Sequence, residues 1–256
     1  MTRRWTAIFV VLSAAFLLAF RLGNRFDFEV PLALRMVVLL AVACVFFIHG
    51  LRIRGGVNLL GVTLCIATVS AMAEWIGLHT GMLFGSYQYT DQIGPMLPGG
   101  LPLAIPIFWV FMLIAADDLA SLALPGNASR VTRALSGAWI AMAWDIMVDP
   151  IAVAYGCWIW TPAGSVFGIP ITNAPSWFAT AFVALWLSHP RHPRSIPTST
   201  PVWFVHLPAI ALLGTAANNL AATFELGFPA AGLASCAGLA PYVIAAGGRV
   251  RSASFR

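Results

Sequence analysis

The segment "WIAMAWDIMVDPIAVAYGCWIW", residues 139–160, places two aspartates in an otherwise apolar stretch. Asp145 and Asp149 are four residues apart, so on an α-helix their carboxyl groups share one face. Pro150 cannot donate a hydrogen bond to the carbonyl of Ile146, which predicts a distorted helix beside Asp149. Because an acidic side chain in an apolar helix usually faces a cavity or a partner, the segment predicts a small polar pocket.

The composition of the whole chain indicates a membrane protein. The 256 residues are 60% hydrophobic and 9% charged, with a mean hydropathy of +0.86. A soluble domain has about a quarter charged residues. Since about 20 apolar residues cross a membrane as a helix, eight runs qualify. They fall near residues 5–21, 30–50, 57–79, 102–124, 134–156, 171–188, 201–223 and 228–247. The predicted fold is all-α: a single transmembrane domain over residues 1–256, a helical bundle of about eight (7–8) spans.

The basic residues indicate how the chain lies in the membrane. All 14 are arginines, and they occupy short gaps between apolar runs, so the net charge of +5 does not predict a nucleic-acid partner. With the N-terminus in the cytoplasm, eleven arginines fall on the inner side and only Arg21 and Arg25 on the outer side, while Arg35 lies in the second span. The positive-inside rule therefore predicts that both termini are cytoplasmic. The expected location is a bacterial inner membrane.

Sequence motifs for common cofactors do not occur. The four cysteines have no disulfide or zinc-ligand spacing. There is no HExxH metal motif, no glycine-rich phosphate loop and no GxSxG nucleophile elbow. The sequence therefore predicts neither a cofactor nor a metal ion.

Two long loops, both predicted on the outer side, are rich in glycine and aromatic residues. They read "HTGMLFGSYQYTDQIGPMLPGG" (79–100) and "WIWTPAGSVFGIPITN" (158–173). Long ordered connections are often functional, although an interfacial aromatic belt would also explain them. The predicted topology brings these loops to the same depth as several polar and aromatic side chains of the spans: Glu74, His79, Trp109, Asp149, Asn173 and Trp177, with Asp145 nearer the middle.

Three other acidic or basic positions are expected to have structural roles. Asp117 and Asp118 lie near the cytoplasmic end of a span, where a solvated helix end close to Arg130 and Arg133 is expected. His206 is expected to make a hydrogen bond between helices.

A cluster of buried carboxyl groups suits two kinds of chemistry. Burial disfavours the charged form, so such a cluster can hold a proton that an acid in water would lose. The proton could be added to an electron-rich lipid alkene, with aromatic faces stabilising the cation. Alternatively, it could be translocated by a proton-coupled lipid or solute transporter. The plainest alternative is structural, with Asp149 capping a helix that breaks at Pro150.

A family resemblance favours the alkene reaction. It rests on four segments in order between about residues 70 and 180, "EWIGLHTGMLFGSYQYTDQIGPML", "GLPLAIPIFWVFM", "AWDIMVDPIAVAYGCWIW" and "GSVFGIPITNAPSWF". These segments resemble the CruF-type carotenoid 1,2-hydratases, which include the bisanhydrobacterioruberin hydratases. The resemblance implies a cofactor-independent lyase that adds water across the terminal 1,2 double bond of an acyclic (ψ-end) carotenoid, giving a tertiary alcohol. The family motifs map onto Glu74, Gly81, Phe84, Gly85, Tyr87, Tyr89, Asp145, Asp149, Pro150, Trp158, Trp160, Gly168, Pro170, Asn173 and Trp177.

The expected roles follow from this reaction. Asp149 or Asp145 is the acid and the other tunes it, and Glu74 orients or deprotonates the water. The predicted substrate-binding residues are Tyr87, Tyr89, Trp109, Trp158, Trp160, Asn173, Trp177, His79 and Phe84. The expected partners are a lipophilic carotenoid, membrane lipid and other enzymes of the carotenoid pathway. Carotenoid end-group cyclisation remains an alternative, because it begins with the same protonation but excludes water.

Overall fold

The structure of the protein is a computed structural model that describes residues 44, 46–188, 200 and 202–254. The predicted span 5–21 and most of the predicted span 30–50 lie outside the described residues. Residues 46–54 are helical.

Six long helices follow in the described part of the chain. They are α1 Gly56–Thr80, α2 Ala104–Ala123, α3 Arg130–Ala154, α4 Asn173–Ser188, α5 Leu207–Glu225 and α6 Pro229–Ser254. All of them except α4 contain a stretch that is long and apolar enough to cross a membrane. These five helices match the predicted spans 57–79, 102–124, 134–156, 201–223 and 228–247. The prediction of an all-helical membrane protein is therefore confirmed, while the total of eight spans stays a prediction.

Helix α4 corresponds to the predicted span 171–188 but is short. Its 16 residues extend about 24 Å at 1.5 Å per residue, less than the roughly 30 Å of a hydrocarbon core. The apolar run is longer than the helix because Ile171 and Thr172 form a turn before Asn173. Asn173 is thus the first residue of α4.

Helix α3 is at the centre of the packing and contacts α2, α4, α5 and α6. Small residues permit this close approach, as in many membrane bundles. A Cβ atom on Gly137 would lie 2.5 Å from Leu185 of α4 and 3.7 Å from the backbone of Asp117 in α2. Ala138 and Ala141 are fully buried on the same helix. Three helices therefore meet at Gly137.

The helix continues through Pro150 and ends at Ala154, so Asp149 lies inside α3 and is not its cap. Gly156 stops the helix with a φ of 65°, a left-handed conformation that glycine adopts without strain. The N–H groups of Gly156 and Cys157 then return to the carbonyls of Val153 and Ala152. The chain leaves the helix directly into the second aromatic loop.

The two aromatic loops pair with each other. Strand β1 (Tyr87–Tyr89) lies antiparallel to β4 (Trp158–Trp160), with Tyr87 opposite Trp160 and Tyr89 opposite Trp158. Because side chains alternate along a strand, these four aromatic residues lie on one face of the ribbon. Gln88 and Ile159 lie on the other face and are exposed. A second hairpin, β2 (Met96–Leu97) with β3 (Leu101–Pro102), precedes α2.

The chain divides into two compact units. One comprises residues 60–193 and 206–256, and it contains the aromatic loops and α2 to α6. In the other, the described residues include the helical residues 46–54 and a four-residue helix, Val202–Val205. Within that second unit, His49 Nε2 lies 2.7 Å from the carbonyl oxygen of Phe204. The single domain over residues 1–256 stays a prediction.

Asp117 and Asp118 are buried, so the expectation of a solvated helix end is wrong. They are 5% and 4% exposed. Asp118 accepts a hydrogen bond from the backbone N–H of Ala209 at 3.3 Å, and its other oxygen lies 3.2 Å from His206 Nδ1. The start of α5 therefore covers this end of α2. The expected interhelical hydrogen bond of His206 is present.

Candidate active site

A small cavity lies where α1, α2, α3 and α4 approach the ribbon of β1 and β4. Its volume is about 30 Å³, enough for one or two water molecules. The lining residues are mainly aromatic and acidic: Glu74, Phe84, Tyr87, Tyr89, Ile105, Phe108, Trp109, Asp145, Val148, Asp149, Trp158, Trp160, Asn173 and Trp177. Every residue that the sequence predicted for the site lines this cavity, except His79.

Asp145 and Asp149 form a bridged pair. Both side chains are buried, at 2% and 4% exposure, and they follow each other on one face of α3. Asn173 Nδ2, at the start of α4, donates to Asp149 Oδ2 and lies 3.4 Å from Asp145 Oδ2. One amide therefore holds both carboxyl groups, an arrangement suited to a pair that shares a single proton.

Glu74 has a different environment. It is 3% exposed, and three side chains donate to it. The hydroxyl groups of Tyr87 and Tyr89 lie 2.5 and 2.8 Å from Oε2, and Trp109 Nε1 lies 2.9 Å from Oε1. An indole N–H can only donate, so this shell suits an acceptor-only carboxylate. The aspartate pair is thus arranged to hold a proton, and Glu74 to hold a negative charge.

The two tyrosines remain donors under ordinary conditions. Burial, followed by the negative charge of Glu74, raises the pKa of Tyr87 and of Tyr89 well above the usual value. A raised pKa keeps a phenol protonated, and its O–H continues to donate to Glu74.

Aromatic rings form most of the cavity wall. Trp109 and Trp177 stack with their centroids 3.8 Å apart, and Tyr89 meets Trp158 edge to face at 5.8 Å. Trp160 Nε1 donates to the carbonyl of Phe84 at 2.9 Å, which joins the two loops. Faces of such rings attract a cation, so the wall is suited to a positively charged intermediate.

His79 is the predicted site residue that the structure places elsewhere. It is exposed, stacks on Trp75 with centroids 4.5 Å apart, and its Nδ1 lies 2.8 Å from the carbonyl oxygen of Trp75. Five residues along a helix rotate a side chain by about 500°, so His79 points about 140° away from Glu74. The position of His79 near the end of α1 led to its prediction as a site residue, but its side chain lies on a different face of the helix from Glu74.

Three lining residues were not identified from the sequence, and helical spacing could have found two of them. Ile105 is four residues before Trp109, and Val148 is three residues after Asp145. Phe108 stands directly before Trp109 and reaches the cavity beside it. All three extend the apolar wall around the polar groups.

The fold and the cavity define a helical membrane protein with buried carboxyl groups in an aromatic pocket. The comparison with known families narrows this class. Residues 33–241 match the family described as "Carotenoid biosynthesis protein", and the chain belongs to this family.

One relative is named for its reaction. The bisanhydrobacterioruberin hydratase of Haloarcula japonica is 36% identical over 136 residues, which cover 52% of this chain and 44% of the relative. The matched region thus spans less than half of that protein. No solved structure matches the chain. The resemblance to the CruF-type hydratases that the motifs indicated is confirmed.

Proposed function

We propose that the chain is a carotenoid 1,2-hydratase that works without a cofactor. It adds water across the terminal 1,2 double bond of an acyclic ψ-end carotenoid and forms a tertiary alcohol. The family and the name of the relative support this reaction class. The observation that carries the proposal is the Asn173-bridged pair, Asp145 and Asp149, in the same aromatic cavity as the hydrogen-bonded Glu74.

The first step is protonation of the alkene. In this proposal Asp149 carries the shared proton when the alkene binds and gives it to C2, and the electrons of the double bond form the new C–H bond. The positive charge then lies on C1, which is tertiary. General acid catalysis of this kind contributes about 10²- to 10⁴-fold in rate. Asp145 keeps the pair's remaining negative charge close to the cation.

The second requirement is a site that tolerates the cation. Glu74 supplies a negative charge that is held in place by three donors before the reaction begins. Preorganised charge of this kind stabilises a charged intermediate without reorganisation. Tyr87, Tyr89, Trp158 and Trp160 add ring faces around it. Because the cavity has room for only one or two water molecules, the alkene end must displace some lining side chains when it binds.

The proposed setting is the inner membrane of a bacterium, with eight spans and both termini in the cytoplasm. This orientation places the cavity in the outer half of the membrane. The carotenoid would lie between helices with its end in the cavity, among membrane lipids and in association with other enzymes of the pathway.

The transporter alternative requires polar groups from one side of the membrane to the other. The described residues contain a second buried acidic group, Asp117 and Asp118, towards the other end of α2. Gly137 packs on Asp117 and is eight residues, about 12 Å, from Asp145 along α3. Between Asp117 and Asp145 along the two helices lie apolar side chains with no exposure: Leu113, Ala116, Ile140 and Ala141. This apolar layer favours a one-sided reaction chamber over a proton path.

The proposal is tested by expressing the protein in a host that produces lycopene and measuring the masses of the pigments. Hydration adds one water per reacting end. Cyclisation leaves the mass unchanged but alters the absorption spectrum, and unchanged pigment would overturn both enzymatic readings. The matched control is the double variant Asp145→Asn, Asp149→Asn, which should be produced normally and leave the pigment unmodified.

A further inference from the structure

Three buried polar atoms around the cavity have no hydrogen-bond partner among the described residues. They are Asp145 Oδ1, Asn173 Oδ1 and Trp158 Nε1, none of which has a hydrogen bond of standard geometry. The Trp158 side chain is also close enough to interact with the Asp149 carboxyl group, so it joins the acid to this set of atoms. Asp145 and Asn173 are 2% and 3% exposed, and all three residues line the same cavity. Buried polar atoms without partners are costly, so each should be satisfied by a molecule that occupies the cavity.

The chemistry of these atoms specifies that molecule. The indole N–H of Trp158 can only donate, and the amide oxygen of Asn173 can only accept. Asp145 Oδ1 accepts when the carboxyl group is ionised. A site with one donor and two acceptors matches water, which donates two hydrogen bonds and can accept two, so that one lone pair remains free. The volume of about 30 Å³ also fits one or two water molecules.

We infer that these three atoms hold the water that is added to the alkene. This inference rests on the proposed hydration, and it assigns the water to Trp158, Asn173 and Asp145 in place of Glu74. The oxygens of Glu74 already accept three hydrogen bonds from Tyr87, Tyr89 and Trp109. Water bound to Trp158, Asn173 and Asp145 keeps one lone pair free, and that lone pair attacks C1.

The proton balance closes within the aspartate pair. Asp149 gives a proton to C2, and water then forms the C–O bond at C1 with its free lone pair. The resulting oxonium group loses a proton along its hydrogen bond to Asp145 Oδ1. The pair again holds one proton, and it returns to the starting state when that proton moves between the two carboxyl groups, which Asn173 bridges. The cycle needs no external acid or base.

Trp158→Phe tests this assignment, because it removes the N–H donor and keeps an aromatic ring beside Tyr89. In D₂O, protonation places deuterium on C2. The cation then either captures water or loses a proton from C2, which returns labelled substrate. We expect the variant to form hydrated product about tenfold more slowly, as for the loss of one hydrogen bond. Label in the recovered substrate should not fall, so the ratio of exchange to hydration should rise.

The control is Trp139→Phe, on the same helix as the acids. Its indole N–H donates to the carbonyl of Gly238 at 3.1 Å, and Trp139 does not line the cavity. The ratio should not change in this variant. If the ratio of exchange to hydration is unchanged in Trp158→Phe, whether both rates stay the same or both fall equally, the water assignment is overturned. Because both products come from one sample, the ratio does not depend on how much enzyme is folded. If the unsubstituted protein neither hydrates nor exchanges, the proposed function itself fails.

Discussion

Replacing Asp149 with asparagine separates the acid from its structural surroundings. In the structure, Asp149 Oδ2 accepts a hydrogen bond from Asn173 Nδ2, and Asp145 is its neighbour on α3. The oxygen of the introduced amide can accept the same hydrogen bond, and its NH₂ group can donate to Asp145. A neutral amide is also easier to bury in a membrane than a charge. Asp149→Asn should therefore insert and fold normally.

The expected kinetic effect is large because the substitution removes the transferable proton. A general acid contributes about 10²- to 10⁴-fold, which corresponds to roughly 2.7–5.4 kcal/mol in the barrier. Asp145→Asn should also slow hydration, because Asp145 takes up the proton of the added water in the proposed cycle. Label exchange at C2 in D₂O needs the proton donor but not this acceptor, so it should be lost in Asp149→Asn and kept in Asp145→Asn.

The assay is the initial rate of hydrated pigment formation by purified protein in detergent, normalised to folded protein. Asp118→Asn is the matched control, since it changes a buried carboxyl group of the same bundle whose partners are Ala209 and His206. The control should hydrate at the unsubstituted rate. An Asp149→Asn variant that is as active as Asp118→Asn would refute the acid role.

Further predictions concern charge, cofactors and topology. Glu74→Gln should slow hydration by about thirtyfold to 150-fold and increase elimination products. The reason is that a charge about 6 Å from a cation contributes roughly 2–3 kcal/mol at an effective dielectric constant near 20. A rate equal to that of the unsubstituted protein would contradict this. Turnover should continue without oxygen and in the presence of a chelator, and activity that is lost with chelator and restored by zinc or iron would show that a metal is needed. Reporter fusions after Asp91 and Thr161 should report the outside and fusions after Ser129 the cytoplasm, whereas opposite sides for the first two would contradict the pairing of their loops.

Much of the helical framework could be predicted because apolar run length and helix length are physically linked. The runs 57–79 and 102–124 coincide with α1 and α2 within two residues. Helix α3 begins at Arg130 and not at 134, since Ser129 caps it by accepting from the N–H of Thr132. A search for apolar runs does not detect a polar first turn of a helix. The capping residue indicates where such a helix begins.

The site was predictable where the signal was local. Asp145 and Asp149 stand out because charge is rare in this chain and their spacing fits one helix face. Contacts between distant segments gave no such signal. Asp118 and His206 are 88 residues apart in the sequence. A prediction from neighbouring residues alone therefore placed Asp118 in solvent. The alternation in "YQY" and "WIW" indicates strands, but only the structure gives the register that puts Tyr89 opposite Trp158.

The position of the acids along their helices affects how a two-ended pigment would react. Glu74 is six residues from the end of α1 and Asp149 five residues from the end of α3, about 9 and 8 Å at 1.5 Å per residue. A stiff polyene that reaches across the bilayer can present only one terminus at that depth. After a first hydration, the new hydroxyl group would make it costly for the molecule to turn end over end in the bilayer. Transfer of an unpaired hydroxyl group from water to hydrocarbon costs roughly 2–7 kcal/mol. Under the proposed hydration, the pigment with a single alcohol end would therefore be released and accumulate, and the rate of the second hydration would be set by how often the molecule turns over in the lipid.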